Sequence, residues 1–193
     1  KNVLMGVSGS FAPRRLNAIL GPSGCGKTTF LNVLCGKISN GTLMGQVRIN
    51  GEDIPIDKLK KIMGFVPQDD IVHEDLTVRE NLSYSARLRL PSDMARSRRR
   101  DIVHDALEML GLSAIQHYRR RGISGGQRKR VNIGLELVAM PSLLFLDEPT
   151  SGLDSTSSAD ILDSLVDMAN LGMNIIMVIH QPRFSSFLMF DQV

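Results

Sequence analysis

Four short apolar runs punctuate the chain: Leu16–Leu20 (LNAIL), Met63–Val66, Leu143–Leu146 and Asn174–Ile179 (NIIMVI). Each is too short for a helix and bounded by Gly, Pro or charge, which predicts buried strands. Between them the apolar positions switch to helical spacing. Thr29–Gly36 predicts one helix, and Thr77–Leu90 a second, with Thr77 and Glu80 at capping-box spacing and Pro91 as the stop. A third spans Asp93–Leu110, with Ile102, Val103, Ala106, Leu107 and Leu110 on one face and Gly111 behind it. Ser124 opens a fourth, which runs through Val131, Leu135 and Val138 to Pro141. Thr156–Asn170 is the fifth, burying Ile161, Leu162, Leu165, Val166 and Ala169. Continuous apolar strands alternating with amphipathic helices predict an α/β domain with a mostly parallel sheet. Leu143–Leu146, flanked by Pro141 and an acidic pair, reads as a central strand.

Two stretches predict antiparallel β structure instead. Residues 1–20 intersperse Val3, Leu4, Val7 and Phe11 with Gly and Pro, as a hairpin does. Gly45–Ile49 followed by Asn50-Gly51 reads as a strand ending in a tight turn. Residues 77–123 look like a helical insertion into the α/β domain.

Composition narrows the class without naming a chemistry. A chain of 193 residues, 42% hydrophobic, buries a substantial core in one unit. A net charge of +3 is too small to announce a nucleic-acid partner, and none is expected. Arg96, Arg98, Arg99 and Arg100 read as a solvated helix face, with a phosphate- or membrane-facing patch as the alternative. Cys25 and Cys35 fall roughly 13–15 Å apart at helical rise, beyond bridging distance, so a reducing, cytosolic setting is expected. No run reaches the length of a membrane span. The chain reads as a soluble piece of a longer polypeptide.

The chemistry starts at Gly21–Thr28, GPSGCGKT, which fits the phosphate-loop pattern. Chance gives such a match roughly once in a hundred chains of this length at ordinary glycine content. Gly21, Gly24 and Gly26 let successive N–H groups turn inward around an anion. Lys27 supplies charge for the outer phosphates and Thr28 a hydroxyl for magnesium. The loop lies between a strand end and a helix start, where free N–H groups and the helix dipole favour phosphate. Ser124-Gly125-Gly126-Gln127 is either an ordinary serine cap or a second anion site of the same kind. Asp147 and Glu148 leave a strand at the edge where open α/β sheets bind ligands. Asp147 suits a magnesium-linked role and Glu148 the handling of an attacking water. Two charges marking a strand's exit to solvent is the plainer account. His180 stands at the exit of the last strand.

Taken together, the phosphate loop, Gln68, SGGQ, the strand ending in Asp-Glu, SGLD and the strand-end histidine resemble the ATPase domains of ABC transporters along the whole chain. VPQDDIVHEDLTVRENL, RGISGGQRKRVNIGLEL, LDEPTSGLDS and HQPR resemble the G subfamily. The resemblance implies an ATP-hydrolysing domain with a P-loop NTPase core, covering residues 1–193, with 77–123 as its helical subdomain. Gly21, Pro22, Ser23, Gly24, Cys25, Gly26, Lys27, Thr28 and Thr29 would hold ATP. Thr28, Gln68 and Asp147 would hold Mg2+. Glu148 would be the catalytic carboxylate, with Gln68 beside it and His180 sensing the γ-phosphate. Ser124, Gly125, Gly126 and Gln127 would close on nucleotide bound by a second such domain, with Asp154 at the contact between the two. A transmembrane domain of the same polypeptide would receive the motion, which places this domain on the cytosolic face of a membrane.

Three departures accompany the resemblance. The aromatic residue that stacks on adenine is expected upstream of the loop, where only Phe11 stands, in an unsuitable place. Ala114–Arg121 is shorter than the stretch that usually precedes SGGQ, and the subfamily's C-terminal extension is missing. The rival readings are a soluble ABC ATPase acting in translation or on nucleic acid, and a module that holds ATP without hydrolysing it. Intact Lys27, Glu148 and His180 speak against the second.

Overall fold

A computed structural model describes residues 3–38 and 44–193. Four parallel strands form one sheet: β1 (Leu16–Ile19), β2 (Met63–Val66), β3 (Leu143–Asp147) and β4 (Asn174–Val178), in the order β1-β4-β3-β2. The last strand in sequence is therefore inserted between the first and third. Every crossover carries helix, as parallel neighbours require. The helices are α1 (Lys27–Leu34), α2 (Val78–Arg89), α3 (Arg96–Met109), α4 (Gly125–Leu137), α5 (Ser155–Asn170) and the one-turn α6 (Phe184–Phe187).

The two faces of the sheet bury different clusters. On one side Phe145, Ile176 and Val178 pack with Leu31 and Cys35 of the α1 segment, and Phe11 lies against them. Phe11 is thus committed to packing rather than to an exposed stacking surface. On the other, Leu144, Leu146, Ile175 and Met177 join α2, α3, α4 and α5 in one continuous core. The five apolar positions expected on α3 are all buried there. On α5, Val166 is only partly covered, and Met168 takes the buried place beside Leu165.

α4 is enclosed on most sides, and its polar residues explain how. Lys129, Asn132 and Glu136 recur at i, i+3 and i+7, one face of a helix. That face runs along β2 and its exit, the edge of the sheet away from β1. The Phe65 N–H donates to the Glu136 carboxylate at 3.0 Å, and the Glu136 carboxylate also pairs with Arg89 of α2 at 2.8 Å. The Asn132 amide donates to the carbonyls of Pro67 and Asp69, and its oxygen accepts from the Ile71 N–H, each at 3.4 Å. A strand edge that would otherwise present unpaired backbone groups is laced to a helix by side chains.

The antiparallel β part expected near the N-terminus is not formed among the described residues. Val3, Met5 and Val7 are exposed, so residues 3–10 have no apolar face against which a ladder could form. An isolated two-stranded ribbon without buried area does not hold in water. Gly45–Ile49 shrinks to a single antiparallel bridge, Ile49 with Glu52, across Asn50-Gly51, whose φ angles of 54° and 83° make the expected tight turn. Residues 39–43, between the first helix and this turn, lie outside the described residues.

The Thr77 capping box is complete. The Thr77 hydroxyl accepts from the Glu80 N–H at 3.2 Å, and the Thr77 N–H donates to the Glu80 carboxylate at 2.8 Å. In the first turn of α2, Val78 and Arg79 donate backbone N–H groups to the carbonyls of Tyr118 and Gln116, so the stretch before Ser124 is stitched to the start of α2. Thr77→Ala is expected to destabilise the domain by about 1 kcal/mol, read as a lower urea midpoint at unchanged slope.

Hydrogen bonds from the Thr77 backbone, then from its hydroxyl, hold the Glu80 carboxyl below the ordinary glutamate range. A depressed folded pKa contributes stability that is complete above the unfolded value and lost as pH falls through the folded one. Glu80→Gln should therefore lower the midpoint at neutral pH and not in strong acid. An equal shift at both pH values would contradict this account.

Candidate functional site

The parallel arrangement brings the exits of β1, β4 and β3 side by side, and the candidate site is built on those exits. After β1 the chain turns through Gly24 and Gly26, whose φ angles of 76° and 95° require glycine, and enters α1 with no side-chain cap. The first N–H groups of α1 are thus left for an outside acceptor. At Gly21 the loop folds close on itself: a Cβ there would lie 2.8 Å from the Cys25 Sγ and displace that side chain. The buried Lys27 ammonium donates to the carbonyls of Gly21 at 2.9 Å and Pro22 at 3.0 Å, which ties the neck of the loop to the start of its helix. With three protons, it keeps one for a phosphate oxygen. Val3 and Leu4 lie against Gly26, so the N-terminal segment forms a wall of the cradle.

Asp147, the last residue of β3, is buried and accepts from the Thr28 hydroxyl at 3.0 Å. Burial pushes its pKa above the ordinary aspartate range; the Thr28 hydrogen bond and then Lys27 act against this, while nearby Glu148 adds to it. A buried carboxylate faced by one neutral hydroxyl favours a cation between them. No group of three or more acidic, His or Cys side chains among the described residues could cage such an ion. Magnesium, which binds by one or two protein oxygens and completes its shell with phosphate and water, fits this donor set.

Glu148 turns out of the strand with φ 47°, and Gln181 does the same after His180 with φ 46°. Left-handed backbone at non-glycine residues costs energy and persists only where the surroundings impose it. At Glu148 the N–H donates to the Val178 carbonyl at 3.0 Å and the C=O accepts from Ser151 at 3.1 Å. The kink carries the Glu148 carboxylate to the Gln68 amide, 3.3 Å away. His180 Nε2 and the Ser23 hydroxyl are 2.7 Å apart, joining the β4 exit to the cradle. A cavity of about 330 Å³ is lined by Val3, Ser23, Lys27, Thr28, Glu148 and His180 among others. A larger one of about 900 Å³ lies between α2 and α3, beside Arg87, Arg96, Arg99 and Arg100, and touches none of the cradle. The chemistry belongs to the smaller cavity.

Ser124–Gln127 and Asp154 form a second group outside that cavity. Ser124 caps α4 in a full capping box: its hydroxyl accepts from the Gln127 N–H at 3.2 Å, and the Gln127 side-chain oxygen accepts from the Ser124 N–H at 2.9 Å. Asp154 caps α5 through the Ser157 N–H at 3.0 Å; hydrogen bonds, chiefly from the Ser157 side chain and then its backbone, lower its pKa. Gly126 lets the two helix starts touch, since a Cβ there would lie 2.7 Å from the Ser157 Cβ.

Three residues that shape the site were assigned no role, although they lie within the quoted motifs: Lys129, Asn132 and Asn81. The first two grip the Gln68 segment from α4. Asn81 of α2 holds its far end, accepting from the His73 N–H at 2.9 Å and donating to the carbonyls of His73 at 3.2 Å, Leu76 at 3.3 Å and Thr77 at 3.0 Å. Residue type alone does not mark them; the packing of α2 and α4 does.

A phosphate cradle facing an acid pair across a parallel sheet with an inserted strand defines a P-loop nucleotide-hydrolysing domain. The sequence model described as ABC transporter matches residues 4–151. The chain belongs to that family and is an ATPase domain of it. It is 52% identical over its whole length to ABC transporter G family member 28 of Arabidopsis thaliana, covering 18% of that protein. It is 50% identical over 99% of its length to ABC transporter G family member 25 of Oryza sativa subsp. japonica, covering 20% of it. The chain thus spans about a fifth of the length of these relatives. A solved structure of cbiO1 from Clostridium perfringens, described as part of the ABC transporter complex cbiONQ, superposes with a TM-score of 0.82. That match is 30% identical and covers 93% of this chain and 72% of the other.

Gly126→Ala is expected to destabilise the domain by about 1–3 kcal/mol through overpacking. Adding Ser157→Gly, which removes the colliding Cβ, should restore most of the loss. Thermal unfolding of the two variants checks this, and a double variant no better than the single would refute the contact.

Proposed function

We propose that this domain binds MgATP and hydrolyses it between two head-to-tail copies, and that the cycle drives transport by a membrane domain in the same polypeptide. The observation that carries the reading is the convergence of Lys27, Thr28, Glu148 and His180 on one cavity at the exits of three adjacent strands. Ser23 through Thr29 receive the phosphates on backbone N–H groups and the Lys27 charge. Thr28, Gln68 and Asp147 would hold Mg2+, which when bound would supply positive charge against the phosphates. Glu148 orients and deprotonates the attacking water. His180, hydrogen-bonded to Ser23, senses the γ-phosphate.

The helix starts at Ser124 and Asp154 complete the reading. Gly125 and Gly126 begin α4, where the first N–H groups have no intrahelical partner, and this donor set faces a phosphate acceptor in the opposing copy. Each ATP then has one wall from each copy, and loss of the γ-phosphate lets the pair open. We assign residues 77–123 as the helical subdomain that, with the Gln68 segment, passes the motion on. Among the described residues no helix is long and apolar enough to cross a membrane. The relatives' G-family names support a transporter of that subfamily, with this domain on the cytosolic face.

The isolated chain is expected to hydrolyse MgATP slowly, with specific activity that rises with protein concentration because two copies must meet. EDTA should abolish turnover. Glu148→Gln should retain ATP binding, lose turnover by at least about a hundredfold and accumulate as a dimer in light scattering. Undiminished hydrolysis in that variant would remove Glu148 from its assigned role.

A further inference from the structure

We infer that Lys129 is a positioning residue for hydrolysis: its buried ammonium sets the reach of Gln68 toward Glu148. The inference rests on the reading of Glu148 as the catalytic carboxylate. Lys129 sits in the second turn of α4 and is 5% exposed, an unusual burial for lysine. Its side chain turns away from solvent to donate to the Gln68 main-chain carbonyl. It also stands 3.2 Å from the Asp70 carboxylate. That Asp70 oxygen has no hydrogen bond, so the Lys129 charge is what compensates it.

The arrangement does more than neutralise charge. One cation grips the segment on both sides of Asp69, at the residue whose side-chain amide lies 3.3 Å from Glu148. Asn132, one turn further along the same face, binds the carbonyls of Pro67 and Asp69 and the Ile71 N–H. The Gln68 backbone is thereby referenced to α4, the helix that begins at Ser124. A displacement of α4 carries the Gln68 carbonyl with it and moves the amide relative to Glu148, which β3 holds independently. The pairing of the water-handling carboxylate with its neighbour thus depends on where α4 lies.

The test is a double-mutant cycle on MgATP turnover in the full-length polypeptide, with nucleotide affinity measured separately by a fluorescent ATP analogue. Lys129→Met is paired with Asp70→Asn, so that no lone buried charge remains, and this pair is combined with Gln68→Ala. The Lys129/Asp70 variant should lose about tenfold in kcat, the scale of a catalytic group misplaced by a fraction of an ångström, with nucleotide affinity within about twofold of wild type. In the Gln68→Ala background the same pair should cost no further activity, because its effect runs through Gln68. Lys129→Gln, which can still donate to the carbonyl, should recover part of the rate when Asp70 is also Asn. Losses that multiply across the cycle, or a kcat loss that tracks only a fall in Tm, would overturn the proposal. Hydrolysis that survives Glu148→Gln would instead overturn the underlying reading, and the two failures are distinguishable.

Discussion

Strand order is the constraint on which the molecule depends. Parallel strands all exit the sheet at one edge, and the order β1-β4-β3-β2 sets the β4 exit between those of β1 and β3. A histidine at residue 180, an acid pair at 147 and 148 and a glycine loop at 21–26 become neighbours only because of that insertion. With β4 at the far edge beyond β2, Ser23 and His180 could not share a hydrogen bond. The hydrogen bonds Thr28–Asp147 and Ser23–His180 are local proof of a non-local arrangement.

A second constraint is the central place of α4. It is packed by α2, α3 and α5 and by the edge of the sheet, so its polar side chains have to find backbone partners or be left unsatisfied at a cost. Lys129, Asn132 and Glu136 find them on β2 and on the segment leaving it. The same helix starts at the capping box of Ser124 and Gln127 and touches α5 at Gly126. One helix therefore joins the two groups of candidate residues, although they line different surfaces.

Much of this was legible in the residues. The four strands follow from apolar runs that periodicity assigns to burial on both faces, and the capping boxes at Thr77 and Ser124 follow from residue type and spacing. Family resemblance supplied what spacing could not, namely the expectation that SGGQ is more than a cap. The N-terminal hairpin misled because alternating Val and Gly says nothing of whether a partner face exists, and Val3, Met5 and Val7 have none. The Lys129 contact was illegible for the opposite reason. Lys129 lies in Arg128-Lys129-Arg130, three cations in a row, and a charge run reads as solvent-facing. Only the tertiary placement of α4 separates the buried one from its neighbours.

The capping box at Ser124 has a consequence for what can approach it. Its serine oxygen accepts from the Gln127 N–H, and the Gln127 side-chain oxygen accepts from the Ser124 N–H, so two of its acceptors face inward. The donors that the capping box leaves unused are the Ser124 hydroxyl, the Gln127 amide and the N–H groups of Gly125 and Gly126. Such a surface discriminates by the direction of the hydrogen bond. A group rich in lone pairs meets several donors there, whereas an ammonium meets only acceptors that are each already engaged once.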